Sequence, residues 1–306
     1  MKTNRQILTA IVEGAYANGE AATIAVNVSN VKPTFLNTSK IESANIKPGF
    51  GHDRVSHAGA NAALEFEMDL AGSGTLGTAP AFGPFLRACG FSETLDAGVS
   101  VAYEPVSENA DSLSMFYYHD GDLHQIKGAR GDCTINLRQL DRPTIKFTFT
   151  GIYMPVVAGA LPTPSFAPSA PVVAVSKAST ELMTLDGQTL ALSQCELTVG
   201  NTVGYRNLVN LEEVNITDRK SGLKLNFDRP NVANKDWFAA VLSADTSVFN
   251  ARHGTVAGNI IEISAGGAQP TEITPGDADG VAQIEMTARL LSPSGLGDDE
   301  FTLTFK

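Results

Sequence analysis

Apolar and polar residues alternate with period two along much of the chain. Ala63 to Leu70 reads ALEFEMDL, which sets Leu64, Phe66 and Met68 on one face and Glu65, Glu67 and Asp69 on the other. Cys133 to Leu140 (CTINLRQL) and Thr144 to Met154 (TIKFTFTGIYM) repeat the habit, and in the latter Ile145, Phe147 and Phe149 alternate with Lys146, Thr148 and Thr150. Such a strand lays one face on a core and turns the other to water or to a partner. Between these runs, Gly72 to Phe91 (GSGTLGTAPAFGPFLRACGF) breaks the alternation with glycine and proline and then offers one short apolar helix.

The order returns further along. Gly222 to Asp228 (GLKLNFD) sets Leu223, Leu225 and Phe227 against Lys224, Asn226 and Asp228, in the pattern of ALEFEMD. A second helical candidate follows over Asp236 to Ala244. Beyond it, NIIEIS (259–264), AQIEMTARLL (282–291) and EFTLTFK (300–306) are matched to LHQIKG, CTINL and IKFTFT of the first half. The plan is strand, short helix, then several strands, twice over. An all-β chain with short helices is expected, with one domain over 1–160, a linker over 161–171 and a second domain over 172–306. The boundary comes from Ala158 to Pro171 (AGALPTPSFAPSAP), whose four prolines stand among small residues without periodicity. One segment, Asn37 to Ala58 (NTSKIESANIKPGFGHDRVSHA), has no evident counterpart and reads as a long loop, which in a compact domain is usually functional or held by a partner.

Composition narrows the functional classes. The 306 residues exceed one ordinary domain, and 28 Gly with 15 Pro favour turns and strands over helices. A formal charge of −11 argues against gripping nucleic acid or an anionic membrane. Cys89, Cys133 and Cys195 lie far apart, fit no metal-ligand spacing, and read as buried thiols. The opening MKTNRQILTAIVEGAYANGE has its apolar run broken by Glu13, so a signal peptide is not expected, nor is a membrane span. His52 and His57 are poorly spaced for a metal, and His119 and His124 in YYHDGDLH flank an Asp-Gly hairpin turn. The glycine loop lacks the Gly-Lys-Ser/Thr ending of a phosphate loop. Cys89 beside Arg87 suits packing better than nucleophilic chemistry. No catalytic, cofactor or metal residues are expected, and what remains is an acidic β protein with strand faces and a long loop suited to self-association.

GTLGTAPAFGPFLRACGFSET, followed by VSVAYEPVSENADSLSMFYYHDGDLHQIKGARGDCTINLRQLDRPTIKFTFTGIYMPV, resembles the central region of the major tail proteins, or tail tube proteins, of long-tailed siphovirus-type bacteriophages. The likeness is carried by the Gly-Thr-Ala-Pro loop, the Leu-Arg-Ala-Cys-Gly-Phe helix end, the Tyr-x-Pro-Val-Ser strand, the Gly-Ala-Arg-Gly turn and the closing Phe-Thr-Phe-Thr-Gly. It covers Arg5 to about Pro162 well and the second half weakly. The resemblance implies tandem β-sandwich domains, each flanked by a short helix, whose inner sheets join around a ring; stacked rings make a hollow tube. It implies that 81–89 packs as a helix with Phe82, Phe85 and Leu86 inward. It further implies that Asn37 to Ala58 reaches other subunits, through Lys40, Ile41, Ile46, Lys47, Phe50, His52, Arg54 and His57. Two domains per chain imply a trimer with pseudo-sixfold symmetry; a second half that decorates the surface would require six chains instead.

By the same resemblance, the partners are further copies of the chain, a tape-measure protein, a tail terminator, and double-stranded DNA that passes through the lumen without specific binding. Glu65, Glu67, Asp69, Lys224, Asn226 and Asp228 are the candidates to line that lumen. The protein would be made in the host cytoplasm and end in the virion tail. The competing class is a virion decoration or carbohydrate-binding adhesin domain, for which exposed aromatic clusters would speak; the single tryptophan, Trp237, falls instead in a candidate apolar helix.

Overall fold

The computed structural model of the chain describes Lys2 and residues 5–306. In the first half, β1 (Gln6–Val12), β2 (Ile24–Val26), β3 (Ser29–Glu42) and β4 (Val55–Asp69) precede α1 (Gly83–Ala88). After it come β5 (Phe91–Asp96), β6 (Ser100–Pro105), β7 (Leu113–His119), β8 (Gly121–Arg138), β9 (Thr144–Tyr153) and β10 (Val157–Gly159). Past β11 (Ser165–Phe166), the second half runs β12 (Leu182–Leu185), β13 (Gln188–Thr189), β14 (Leu192–Thr198), β15 (Asn201–Leu208), β16 (Leu211–Arg219) and β17 (Gly222–Asp228). Then follow α2 (Trp237–Ser243), β18 (Ser247–His253), β19 (Ile261–Ala278), β20 (Val281–Leu290) and β21 (Thr302–Phe305). The fold is all-β with two short helices.

Period two in the sequence becomes a buried and an open face. On β4, Leu64 and Phe66 are fully buried and Met68 nearly so, while Glu65, Glu67 and Asp69 lie opposite. Phe66 meets Phe85 of α1 at 5.2 Å between ring centroids and Phe147 of β9 at 5.6 Å. Each buried aromatic contributes about 1.5–3 kcal/mol through area alone, so this cluster anchors the first half. The helix is inserted as the sequence predicts, with Phe82, Phe85 and Leu86 at 1% exposure or less.

The two halves repeat one strand order. β3, β4, β9 and β8 are successive antiparallel neighbours, with Phe66 opposite Phe147 and Phe147 opposite Cys133. β14, β17, β20 and β19 do the same, with Leu225 opposite Met286 and Met286 opposite Ile273. β8 then pairs with β14, from Thr134 opposite Thr198 to Arg138 opposite Gln194, and this joins the two sets into eight consecutive strands. The long strands β8 and β19 each contain a register shift, between Lys127 and Arg130 and between Pro270 and Glu272. Before the shift each pairs with a second layer, β8 with β7 and β19 with β18, so each strand turns the corner between layers.

GLKLNFD therefore answers ALEFEMD residue for residue. The later strands correspond differently from the expectation. AQIEMTARLL is the counterpart of β9, and EFTLTFK answers β10, since each of these last strands pairs with the first part of β19 or β8. The displacement arises because 265–278 (AGGAQPTEITPGDA) is a strand without period-two alternation, rich in Gly, Pro and Thr.

The glycine loop lies where the halves cross. Gly74 donates its N–H to Gly258 O at 3.0 Å, and Gly72 donates to Asn259 Oδ1 at 2.8 Å. A Cβ on Gly72 would stand 2.1 Å from Gly258 O, and one on Gly258, where φ is +86°, would meet Gly74 C at 2.5 Å. Backbone meets backbone here, which no side chain permits. The stretch expected as a linker is fastened to the same corner: Ala170 donates to Gly72 O at 2.8 Å, and Ser165–Phe166 pairs with Ile24–Ala25. Gly72→Ala should cost about 1–3 kcal/mol through this clash, read as a lower urea midpoint, whereas Gly49→Ala, with nothing within 4 Å, should not.

Candidate assembly interface

The segment expected to reach other subunits as one long loop is a two-stranded ribbon at its base and a loop at its tip. β3 and β4 stay paired out to Glu42 opposite Val55, leaving a loop only over 43–54. Lys40 and Ile41 sit on β3, His57 on β4, and Ile46, Lys47, Phe50, His52 and Arg54 in the loop. The ribbon escapes detection in the sequence because neither of its faces covers a core, so no apolar periodicity marks it. Lys47 closes the loop on itself, with Nζ 2.7 Å from Asp53 and 3.1 Å from His52 O, while His57 Nδ1 lies 2.9 Å from Thr38 Oγ1. Ile46 and Phe50 are fully exposed and Ile41 is more than half exposed.

The six charged and polar candidates of β4 and β17 share one face. A single rung of opposed residues runs Asp69, Thr144, Asn136, Glu196, Lys224, Thr287, Glu272 across seven strands. On the rungs beside it lie Glu67 with Lys146, and Asn226 with Glu285. This is the side of the eight-stranded sheet turned away from the core. Many of its charges are paired: Glu65 lies 2.8 Å from Lys32 and 3.2 Å from Lys146, Asp69 2.8 Å from Arg142, and Lys224 2.9 Å from Glu285. The Lys32 contact holds the Glu65 carboxyl below the usual range. Glu67 and Asp228 accept from the amides of Asn30 and Gln283. Exposed pairs of this kind contribute little to stability; they and the intervening threonines make a hydrophilic, weakly acidic wall.

The arm has a counterpart after all. Between β14 and β17, where β3 and β4 would place it, stands the hairpin β15–β16, and it folds onto the first half. Asn201 Nδ2 donates to Cys89 O at 2.6 Å and to Gly131 O at 3.0 Å, and its N–H donates to Asp132 Oδ1 at 3.0 Å. Arg130 donates to Val214 O at 2.9 Å and Asn215 Oδ1 at 2.7 Å, with its guanidinium 5.1 Å above the Tyr16 ring. Val214, fully buried, donates its N–H to Tyr16 Oη. At the hairpin base, Arg219 is 8% exposed and reaches Asp298 at 2.6 Å and Glu300 at 3.1 Å.

Arm, wall and docked hairpin all fall within one sequence match: the family model for phage tail tube protein covers residues 5–289. The chain belongs to the phage tail tube protein family. No curated protein is matched by it.

The remaining candidates take structural places in this tail tube protein. Asp120 and Gly121 form the turn between β7 and β8, and Asp120 binds Arg5 at 3.0 Å. His124 stacks on Phe35 at 3.6 Å, and burial lowers its pKa. Cys89, Cys133 and Cys195 are free and buried, and burial pushes the Cys89 and Cys195 thiols up, the latter to about 12. Among the described residues, no three metal-ligating side chains come together and no helix is long and apolar enough to cross a membrane.

Glu13, which interrupts the first apolar run, was missed as a fastening point. It accepts from Ser112 Oγ at 2.5 Å, Ser114 Oγ at 2.6 Å, Gly128 N at 3.0 Å and Ala17 N at 2.8 Å. It thereby holds the turn that presents Tyr16 to β16. Burial pushes its carboxyl up, but the bonds from Gly128, Ser112, Ser114 and Ala17 outweigh this and hold it below 4.5. A depressed folded-state value means stability that is complete above the unfolded value and lost as pH falls through the folded one. Glu13→Gln should therefore lower stability at neutral pH by about 1–3 kcal/mol and flatten the loss of stability below about pH 4.5, measured by urea unfolding across pH.

Proposed function

We propose that the chain is the ring-forming subunit of a siphovirus-type tail tube, that three copies close a pseudo-sixfold ring, and that stacked rings carry genome DNA to the host. The observation that supports this best is the eight-stranded sheet with two open ends. Among the described residues, β3 pairs only with β4, and β19 beyond Glu272 only with β20. Open edges are templates for pairing with another chain. The β8–β14 junction supplies the pattern within one chain, and β19 and β3 are the counterparts of its two strands. A head-to-tail contact of this kind closes when the rotation per copy divides a circle.

Strand geometry favours three copies over two. With strands about 4.8 Å apart and tilted about 40°, eight of them span roughly 50 Å of circumference. Two copies would leave a bore of about 22 Å inside the side chains, barely wider than a duplex roughly 20 Å across; three leave about 38 Å. The register of β8 on β14, carried over, sets Pro275 opposite Pro33. Proline removes an edge donor, so these edges resist indiscriminate pairing in the free subunit.

In such a ring the hydrophilic wall, with Glu65, Glu67, Asp69, Lys224, Asn226 and Asp228, faces the lumen. Carboxylates in excess there repel phosphates and let DNA slide. A tape-measure protein occupies the bore before DNA does, a terminator caps the last ring, and the subunit, synthesised in the host cytoplasm, performs no chemistry. Electron microscopy of concentrated protein with end-on averaging tests this: rings of six lobes built from three chains are expected. Six chains per ring would make the second half a decoration, and persistent monomers would overturn the proposal.

A further inference from the structure

We infer that the β3–β4 arm of one copy lies across the α2–β19 corner of the next copy in the same ring, with Asn37 as its anchor; this rests on the ring proposed above. The chain contains the template. Thr34 opposes Ala63 as Thr198 opposes Gly222, and Ala63 and Gly222 open the equivalent stretches ALEFEMD and GLKLNFD. Counting on, Asn37 occupies the place of Asn201, and the two runs read TFLNT and TVGNT. Asn201 is the residue that fastens the second arm, β15–β16, to the first half through Cys89 O, Gly131 O and Asp132.

The matching receptor exists in the second half. Cys89 caps the C-terminus of α1, and Ala244 caps that of α2. Arg130 donates to Ala110 O at 2.9 Å just before β7, and Gln269 donates to Ala244 O at 2.7 Å just before β18. The same registers make Pro270 and Glu272 the counterparts of Gly131 and Asp132. Yet among the described residues this corner is largely open: Ala244 and Glu272 are exposed, Leu242 is 87% exposed and Phe238 is 41% exposed, with Pro270 buried beside them. Asn37 is exposed as well.

A second copy is the occupant that fits. The chain's own arm hangs from β3, at the opposite end of the eight strands from β19, roughly 34 Å away across the sheet. Charge agrees, since residues 37–58 carry three cations against two carboxylates in a chain of net charge −11, whereas the corner carries Asp236, Asp245 and Glu272 against Lys235 and Arg289. Ile41, Ile46 and Phe50 on the arm would cover Phe238 and Leu242. Docked this way, Asn37 donates to the neighbour's Ala244 and Pro270 carbonyls and to its Glu272 carboxylate.

Cysteine pairing tests the inference, because the three native cysteines are buried. Asn37→Cys combined with Glu272→Cys, cross-linked in assembled tubes with a short bis-maleimide, should give covalent dimers and trimers on a denaturing gel and stop at three. Asn201→Cys with Asp132→Cys, the internal equivalent, should link within the chain and leave it at monomer mass. Rings or tubes without cross-links would overturn arm docking while leaving the ring intact. A ladder running past three would overturn it by sending the arm to the next ring. Absence of rings would overturn the ring proposal and this inference with it.

Discussion

The pairing of β8 with β14 is the constraint on which the rest of this molecule depends. Five residues of each strand are involved, and Ile135, Leu137, Cys195 and Leu197 at the junction are buried almost completely. Antiparallel pairing leaves no freedom in the parity of side chains: once Asn136 stands opposite Glu196, every alternate residue in both halves is assigned to one face. Corresponding polar positions on β4 and β17, such as Glu65 and Lys224, lie far apart in sequence and are thereby compelled onto a common wall. The hydrophobic cluster beneath draws on both halves for the same reason.

The second determinant is the break in β8 and β19. A strand that changes layers halfway lets a single segment serve the wall with one part and the outer layer with the other. The backbone at that bend needs support, and the first half supplies it with Glu13 on Gly128 and Arg130 on the docked hairpin. The second half has Gln269 where the first has Arg130, and no hairpin lies upon it. The asymmetry matters more than the repetition, because among the described residues it leaves the corner of α2 and β19 open where the corner of α1 and β8 is covered.

Much of this was legible in the sequence, for identifiable reasons. Where a strand faces a core on one side and water on the other, as in ALEFEMD, IKFTFT and GLKLNFD, period two announces both the element and its buried face. The helix at Phe85 and the hairpin turn at Asp120 were equally plain. Three things were hidden. The arm has no buried face, so alternation has nothing to report. The second part of β19 is built of Gly, Pro and Thr, residues that signal turns, yet tertiary pairing overrides their preference. Glu13 reads as an interruption in an apolar run, since its partners Ser112, Ser114 and Gly128 lie far along the chain and leave no local trace. The match between Asn37 and Asn201 was present in the letters all along, but only strand register shows that TFLNT and TVGNT stand at the same place.

In the ring proposed above, duplication within one chain changes the energetics of closure. Half of the junctions are then made during folding, at the high effective concentration of a tethered partner, and only the other half depend on protein concentration. The folded half can bury apolar contacts permanently, as Val214 does. In that ring the half that forms between copies must remain soluble while open, and its chemistry suits that demand: prolines on the exposed edges, a mixed-charge arm, and a helix whose tryptophan is buried and whose exposed large apolar side chains are Phe238 and Leu242. Affinity at such a junction comes from many weak contacts made together, so assembly is steep in concentration while the lone subunit stays free of a large sticky patch.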